Sequence, residues 1–236
     1  MAKKSTSTND NSGIEIIESA EALKQEINKA EGFLKKNQKL LVIIAAAIIG
    51  VVVGYFGYNY WMDTQNQEAQ VAMVDATFAY EADSLSQALN GVGGGDGMLT
   101  VADDFGSTKA GNLAHFYAGT ALMKQGKFDE AIEHLEDFSS KDLVLQGKAY
   151  ALIGDAYMEK GNASEAAGFY KKAAGYQSNK FLTPGYLMKL ALAQETAKDN
   201  AAAIKTYDAL IQDYPAATET INAKKYKAML EAMSAK

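Results

Sequence analysis

The sequence lacks two residue types altogether: its 236 residues include no cysteine and no arginine, and only two prolines and two histidines. The absence of cysteine excludes disulfides, thiolate metal sites and thiol catalysis. The absence of arginine removes the forked guanidinium that clamps carboxylates and phosphates. A net charge of −6 argues against nucleic-acid binding, which requires a basic face. We therefore expect a binding or scaffolding protein without cofactor or metal, and not an enzyme.

One stretch is far more apolar than the rest. Residues 40–62 contain no charged side chain, and about 20 apolar helical residues suffice to cross a bilayer. Aromatic residues cluster at the C-terminal end of this stretch, as they do at the headgroup level of membranes. A buried core helix is the alternative, but a run that is apolar on every face favours a span. Because no small-residue cleavage site follows, we predict an uncleaved transmembrane helix over 40–62.

The flanks of this helix predict its orientation. Lys35, Lys36 and Lys39 precede the apolar run, whereas Asp63 and Glu68 follow it. The positive-inside rule then places the N-terminus in the cytoplasm and residues 63–236 outside. In a Gram-negative cell this is a single-pass protein of the inner membrane with a periplasmic domain. That outer domain carries 16 lysines and 23 acidic residues, a net charge of −7.

The N-terminal 39 residues divide into two parts. Residues 1–13 are small, polar and aperiodic, which predicts a disordered tail. Over residues 14–39 apolar side chains recur at helical spacing, which predicts an amphipathic helix. This helix either lies on membrane lipid or docks onto a partner, and the pattern leaves both open.

The first part of the outer domain reads as a helix followed by a glycine-rich loop. Apolar residues at helical spacing predict one helix over 65–90, continuing out of the span. Residues 91–97 include five glycines. They lack the Lys-Ser/Thr pair of a phosphate-binding loop, so we interpret them as a connector between helices.

Three segments then repeat one pattern. A small residue is followed 12 positions later by alanine, in the pairs Gly119 and Ala131, Gly154 and Ala166, and Ala191 and Ala203. The pattern resembles the tetratricopeptide repeat, a helical hairpin of about 34 residues. The small residue at the first position would let two helices approach closely. The resemblance implies an α-solenoid, so we predict an all-α fold in which the cytoplasmic helix and the transmembrane helix precede an extracytoplasmic α-solenoid. Its repeats would cover about 112–145, 147–180 and 184–217, with a capping helix over 219–233.

Turn residues support these boundaries. Gly126 and Gly161 are placed to end a helix in a left-handed conformation, and Pro215 to stop another. The third repeat has Lys198 at the corresponding turn. His115 falls where a large apolar residue usually packs, so we predict a partly buried histidine there, and an exposed one at His134.

Repeats of this kind bind partners with the inner face of each first helix. Three methionines and a phenylalanine on that face would form an adaptable apolar groove for a peptide or helix. The alternative is that some of these side chains are ordinary core residues. By register the predicted groove residues are Leu113, Phe116, Thr120, Met123, Lys148, Ala151, Asp155, Met158, Met188 and Leu192.

The plan of the whole chain resembles the YfgM-like family, single-pass ancillary subunits of the Sec translocon. The resemblance rests on Phe33, Asn37 and Lys39 before the span and on Tyr60 and Trp61 at its exit. It implies an adaptor beside the SecYEG channel that holds a PpiD-like membrane-anchored periplasmic chaperone and assists unfolded secreted chains. The alternative is a membrane-tethered scaffold for envelope biogenesis or cell-division complexes unrelated to Sec.

Overall fold

The computed structural model describes residues 20–234, and all regular secondary structure within that range is α-helical. The prediction of an all-α chain is therefore confirmed for this part. The predicted tail over 1–13 and the start of the helix predicted over 14–39 lie outside it. The described helices are α1 (Ala20–Glu81), α2 (Leu85–Asn90), α3 (Met98–Phe105), α4 (Lys109–Lys124), α5 (Phe128–Asp137), α6 (Leu143–Glu159), α7 (Ala163–Gly175), α8 (Thr183–Thr196), α9 (Asn200–Asp213) and α10 (Glu219–Ser234).

Helix α1 is 62 residues long. Both prolines of the chain lie elsewhere, at Pro184 and Pro215, so nothing in α1 removes a backbone donor. It is the one described helix long and apolar enough to cross a membrane, and no residue of its most apolar window is buried. The chain divides between Tyr60 and Trp61 into two units.

The prediction of a single helix over 65–90 is wrong, because α1 ends at Glu81. Asp83 adopts φ +57°, a left-handed conformation. The amide of Ser84 donates to the carbonyl of Ala79 at 2.8 Å, and that of Asp83 to the carbonyl of Tyr80 at 3.0 Å. These two bonds form a Schellman motif, which satisfies the last carbonyls of the helix and turns the chain.

The same motif ends α4, α6 and α8. Gly126 and Gly161 adopt φ +75° and +74°, as the sequence predicted. Lys198 takes the equivalent position in the third repeat with φ +63°. At each turn the next amide donates back five residues, as Asp199 does to Gln194 at 2.9 Å. Helices α2, α5, α7 and α9 each begin two residues after this left-handed position.

The shared turn reveals a hairpin that the three-repeat pattern did not predict. Gly119, Gly154 and Ala191 each lie seven residues before the left-handed turn residue, and Ala76 lies seven before Asp83. Twelve residues after Ala76 stands Ala88, and both side chains are fully buried. The end of α1 and the short helix α2 therefore form a first hairpin, which we call the leading hairpin.

The leading hairpin departs from the others where its second helix stops at Asn90. The glycine-rich connector follows, with Gly91, Gly93 and Gly94 at positive φ. It is a close turn, since the amide of Gly95 donates to the carbonyl of Val92 at 2.9 Å. Helix α3 then packs on α4, as α5 packs on α6 and α7 on α8.

Packing in the outer domain is sequential: the most extensive contacts run between successive helices from α3 to α10. Residues 66–83 also lie along α4 in parallel, because Asn66 accepts from the amide of Ala110 at 2.9 Å and Asp83 pairs with Lys124 at 2.7 Å. This nearest-neighbour arrangement is that of a solenoid.

Candidate protein-interaction surface

The small residues of the repeats sit where two helices meet. A Cβ on Gly119 would lie 2.6 Å from Cγ of Leu135, and a Cβ on Gly154 would lie 2.6 Å from the Tyr170 ring. Such distances are far below van der Waals contact, so glycine permits the close approach of each helix pair. The close approach inferred from the sequence is confirmed at both positions.

The third hairpin has alanine in place of glycine where its two helices meet. Ala191 is fully buried, and Tyr207 takes the position of Tyr170. Its hydroxyl donates to the carboxylate of Glu195, whereas Tyr170 donates to Asp155. Asp155 lies one position after Gly154, whereas Glu195 lies four positions after Ala191. The carboxylate that accepts from the tyrosine therefore lies about one helical turn further along in the third hairpin.

The predicted groove residues differ widely in exposure. Phe116, Thr120 and Ala151 are buried, Leu113, Met123, Asp155, Met158 and Met188 are half-buried, and Lys148 and Leu192 are exposed. Phe116 packs on the ring of Phe138 with centroids 5.1 Å apart. Thr120 donates to the Phe116 carbonyl at 2.7 Å. The buried members have their contacts inside the solenoid, so only part of this face is open to a partner.

The three methionines do not form one cluster. Met123 packs against the cores on both sides of α4. Met158 packs beside Tyr170 and Leu190, and Met188 beside Ala191 and Tyr207. Each therefore helps to fill a different interface. Their role in a partner groove stays a prediction.

Asp155 connects two hairpins on this face. It accepts hydrogen bonds from the Tyr170 hydroxyl at 2.6 Å and from Lys189 Nζ at 2.6 Å. Burial, and after it the hydrogen bond to Asp155, raise the pKa of the Tyr170 hydroxyl. The tyrosine thus stays protonated and serves as a donor, while Lys189 joins α8 to α6.

An open groove lies between α1 and α4. It has a volume of about 650 Å³, and its lining is mainly apolar. Of the ten predicted residues only Leu113 lines it, together with Tyr117 of α4 and with Val74 and Phe78 of α1. The α1 residues lie on the apolar stripe of the helix predicted over 65–90, but the prediction did not place them in a groove.

The two histidines contact each other, a pairing that the sequence pattern did not predict. Their Nδ1 atoms are 3.1 Å apart, and both side chains are half-buried. The prediction holds for His115 and is wrong for His134, because α5 packs against α4 along that face. Burial first, and then the neighbouring His134, lower the pKa of His115. Among the described side chains, no group of three or more acids and histidines is arranged to hold a metal ion.

Comparison with known proteins supports the repeat pattern. Two family models described as tetratricopeptide repeat match residues 118–180 and 186–217, and one described as tetratricopeptide repeat-like domain matches residues 31–143. No curated protein matches the chain. The prediction of tetratricopeptide repeats is confirmed. Such repeats are typically non-catalytic scaffolds that bind other proteins.

Proposed function

We propose that this tetratricopeptide-repeat protein is a membrane-anchored, non-catalytic adaptor at the Sec translocon. In this proposal residues 40–62 span the bacterial inner membrane, the N-terminus is cytoplasmic and the repeats are periplasmic. The observation that carries the proposal is that one chain joins an apolar helix segment without buried residues to a stack of tetratricopeptide repeats. An anchor of this kind raises the local concentration of the repeats at the membrane.

The translocon assignment depends on the juxtamembrane residues. Phe33, Asn37, Lys39, Tyr60 and Trp61 occupy the places that the YfgM-like family uses on either side of its span. By this resemblance the adaptor sits beside SecYEG and holds a PpiD-like chaperone for emerging secreted chains. The half-open inner face of α4, α6 and α8 would supply the chaperone-binding surface.

Cross-linking from the span tests this assignment. A photoreactive amino acid at Val52, which is 46% exposed, reports which protein lies beside the helix in the membrane. We expect adducts with a SecYEG subunit, and none when the same group replaces Phe181 in the solenoid. Recovery of envelope-biogenesis or cell-division proteins without any channel subunit would overturn the translocon assignment and favour the scaffold alternative.

The absence of cysteine makes the orientation easy to test. Single cysteines at Ser107 and at Gln25, both exposed, would be the only thiols in the chain. In intact spheroplasts a membrane-impermeant maleimide should label the first and not the second. Labelling of Gln25→Cys alone would reverse the proposed topology.

The inner face is best tested at its exposed members, because the methionines pack in the core. Leu192 is 38% exposed and Lys148 is exposed. The pair Lys148→Glu and Leu192→Ser should reduce co-purification of the PpiD-like chaperone in mild detergent. Val144→Ser, a matched change at an apolar residue that is 49% exposed at the start of α6, should leave it intact. Equal recovery with both variants would exclude the inner face as the docking surface.

A further inference from the structure

The outward face of the leading hairpin carries large apolar side chains that remain exposed, although two of them also line the groove beside α4. Val71, Val74 and Phe78 of α1 are 75%, 47% and 65% exposed. They recur at helical spacing, opposite the face on which Ala69, Met73 and Ala76 are buried in the core. We call the three exposed residues, with Glu68 and Asp75 beside them, the α1 outer face.

The repeat register shows what normally covers this face. Counted from the left-handed turn residue, Val71 corresponds to Ala114, Ala149 and the half-buried Tyr186, and Phe78 corresponds to Ala121, Ala156 and Ala193. All five alanines are fully buried. They pack against the hairpin that precedes them, as Ala149 and Ala156 do against Phe116 and Leu135.

The α1 outer face is therefore the place where one more helix would stack. Nothing among the described residues precedes the leading hairpin in the solenoid, so its stacking face stays open. Where α4 and α6 have alanine at both positions, α1 has valine and phenylalanine. These give a wider apolar ridge, the geometry with which one helix packs against another.

The acidic side chains of the α1 outer face indicate the charge of the helix that would bind there. Asp75 corresponds to Ala118, Ile153 and Leu190 in the later hairpins, all of them buried. Glu68 corresponds likewise to the buried positions Gly111, Gln146 and Thr183. A helix stacked here would cover the Asp75 carboxylate, and a covered carboxylate requires a cationic partner.

The surrounding sequence supplies no such cation. Between Lys39 and Lys109 the chain has no lysine or arginine, while residues 63–108 carry eight acidic side chains. Among the described residues neither Glu68 nor Asp75 forms an ion pair. A second copy of α1 would bring the same carboxylates against each other, and anionic lipid would be repelled in the same way.

We propose that the α1 outer face binds a basic amphipathic helix of another protein, whose apolar side packs on Val71, Val74 and Phe78 and whose lysine or arginine pairs with Asp75. The helix continues the stack as an added element ahead of the leading hairpin. This surface does not depend on the translocon assignment, because it concerns the open end of the solenoid and not the identity of its neighbour in the membrane.

Two synthetic 18-residue helical peptides test the proposal. They share a face of leucine and alanine and differ only in carrying lysine or glutamate at the remaining positions. Binding is measured by fluorescence anisotropy to the full chain in nanodiscs of phosphatidylcholine, with empty nanodiscs subtracted. We expect the lysine peptide to bind at least tenfold more tightly than the glutamate peptide, with a preference that weakens as salt is raised.

Two variants and one control locate the site. Phe78→Ser should weaken the lysine peptide at least tenfold, and Asp75→Lys should invert the preference between the two peptides. Phe181→Ser removes an aromatic ring that is 93% exposed elsewhere in the domain, and should change neither value. Circular dichroism should show equal helicity for all variants, because the altered side chains are exposed.

Three results would overturn the proposal. An unchanged preference after Asp75→Lys would mean that general acidity attracts the peptide. Wild-type affinity after Phe78→Ser would remove the apolar face from the interaction. Concentration-dependent self-association that Phe78→Ser abolishes would identify a second copy of the chain as the occupant instead. Loss of SecYEG cross-links from Val52, by contrast, would leave this surface untouched.

Discussion

Tyr170 donates its hydroxyl hydrogen to Asp155 at 2.6 Å, and its ring covers the backbone of Gly154, the residue just before. The small residue at this position thus has two effects on Tyr170. The missing side chain lets the ring approach, and the approach brings the hydroxyl to a carboxylate. This contact holds α7 against α6.

The first prediction concerns the close contact between Gly154 and the Tyr170 ring. Gly154→Ala would place a Cβ 2.6 Å from the Tyr170 ring, so the ring must shift or the helices must separate. We expect a loss of roughly 1–3 kcal/mol in the free energy of unfolding, the usual range for overpacking. Thermal unfolding of the full chain in mild detergent, followed by circular dichroism, measures it.

Gly168 provides the matched control in the same hairpin. It lies within α7, and nothing is within 4 Å of a Cβ built there. Gly168→Ala should raise stability by about 0.5–1 kcal/mol through its helix propensity. Equal effects of the two substitutions would contradict the packing explanation for Gly154.

The second prediction separates the two partners of Asp155. Lys189→Ala removes an ion pair whose side chains are 44% and 31% exposed, so we expect a loss of about 0.2–1 kcal/mol. Asp155→Ala removes that pair and also deprives the half-buried Tyr170 hydroxyl of its acceptor, and should lower the free energy of unfolding by about 1.5–3 kcal/mol. Chemical denaturation of Lys189→Ala, of Asp155→Ala and of the variant with both substitutions gives the coupling free energy between the two residues.

A double-variant cycle decides between the partners. If Lys189 were the main partner, Lys189→Ala and Asp155→Ala would lower the free energy of unfolding equally. If Tyr170 is the main partner, Tyr170→Phe should hardly change the free energy of unfolding in the Asp155→Ala background, because the hydroxyl has already lost its acceptor.

The third prediction concerns Lys198, which holds the left-handed position that glycine holds in two other hairpins. A residue with a Cβ is disfavoured at φ +63°. Lys198→Gly should therefore raise the free energy of unfolding by about 0.5–1 kcal/mol, and Gly161→Ala should lower it by a similar amount. Opposite signs in thermal unfolding are the expected result, and two losses would show that Lys198 has a stabilising contact of its own.

The fourth prediction is a pH dependence at the histidine pair. Burial lowers the pKa of His115 in the folded chain, and the unfolded chain has the ordinary value of about 6.5. As the pH falls below that value, the unfolded state binds a proton first, so stability decreases until the folded His115 is protonated as well. Each unit by which the two pKa values differ contributes about 1.4 kcal/mol.

Unfolding at pH 7.5 and pH 5.5 in wild type and in His115→Gln measures this loss. We expect the wild type to lose stability between the two pH values and the variant to lose less. Asp103 and Asp137 face His115 and oppose the shift, so a variant with Asp137→Asn should show a larger pH effect than the wild type. Identical pH profiles for wild type and His115→Gln would refute a role for this pair.

The sequence was sufficient to predict the elements that depend on local chemistry. Gly126 and Gly161 predicted left-handed helix ends because glycine is the residue that tolerates them. Gly119 and Gly154 predicted close helix contacts because no other residue leaves that space. The apolar run over 40–62 predicted a helix long enough to cross a membrane, and α1 contains it.

The features that were missed depend on contacts distant in sequence or on unusual residues. Asp83 ends α1 in a conformation that glycine adopts far more often than aspartate, so the predicted helix ran on to residue 90. The spacing of Ala76 and Ala88 was the available signal for the leading hairpin, but two alanines among many are easily overlooked. The meeting of His115 and His134 required the crossing of α4 and α5, which helical periodicity alone does not supply.

The sequential packing of the outer domain has a consequence for how the chain comes apart. Helix α10 contacts chiefly α9 and α8, and no described element lies beyond it. In a nearest-neighbour stack the terminal unit can open without breaking the interfaces further along. The C-terminal helix would then exchange its amide hydrogens by fraying, while the hairpins nearer α1 stay protected until the domain unfolds as a whole.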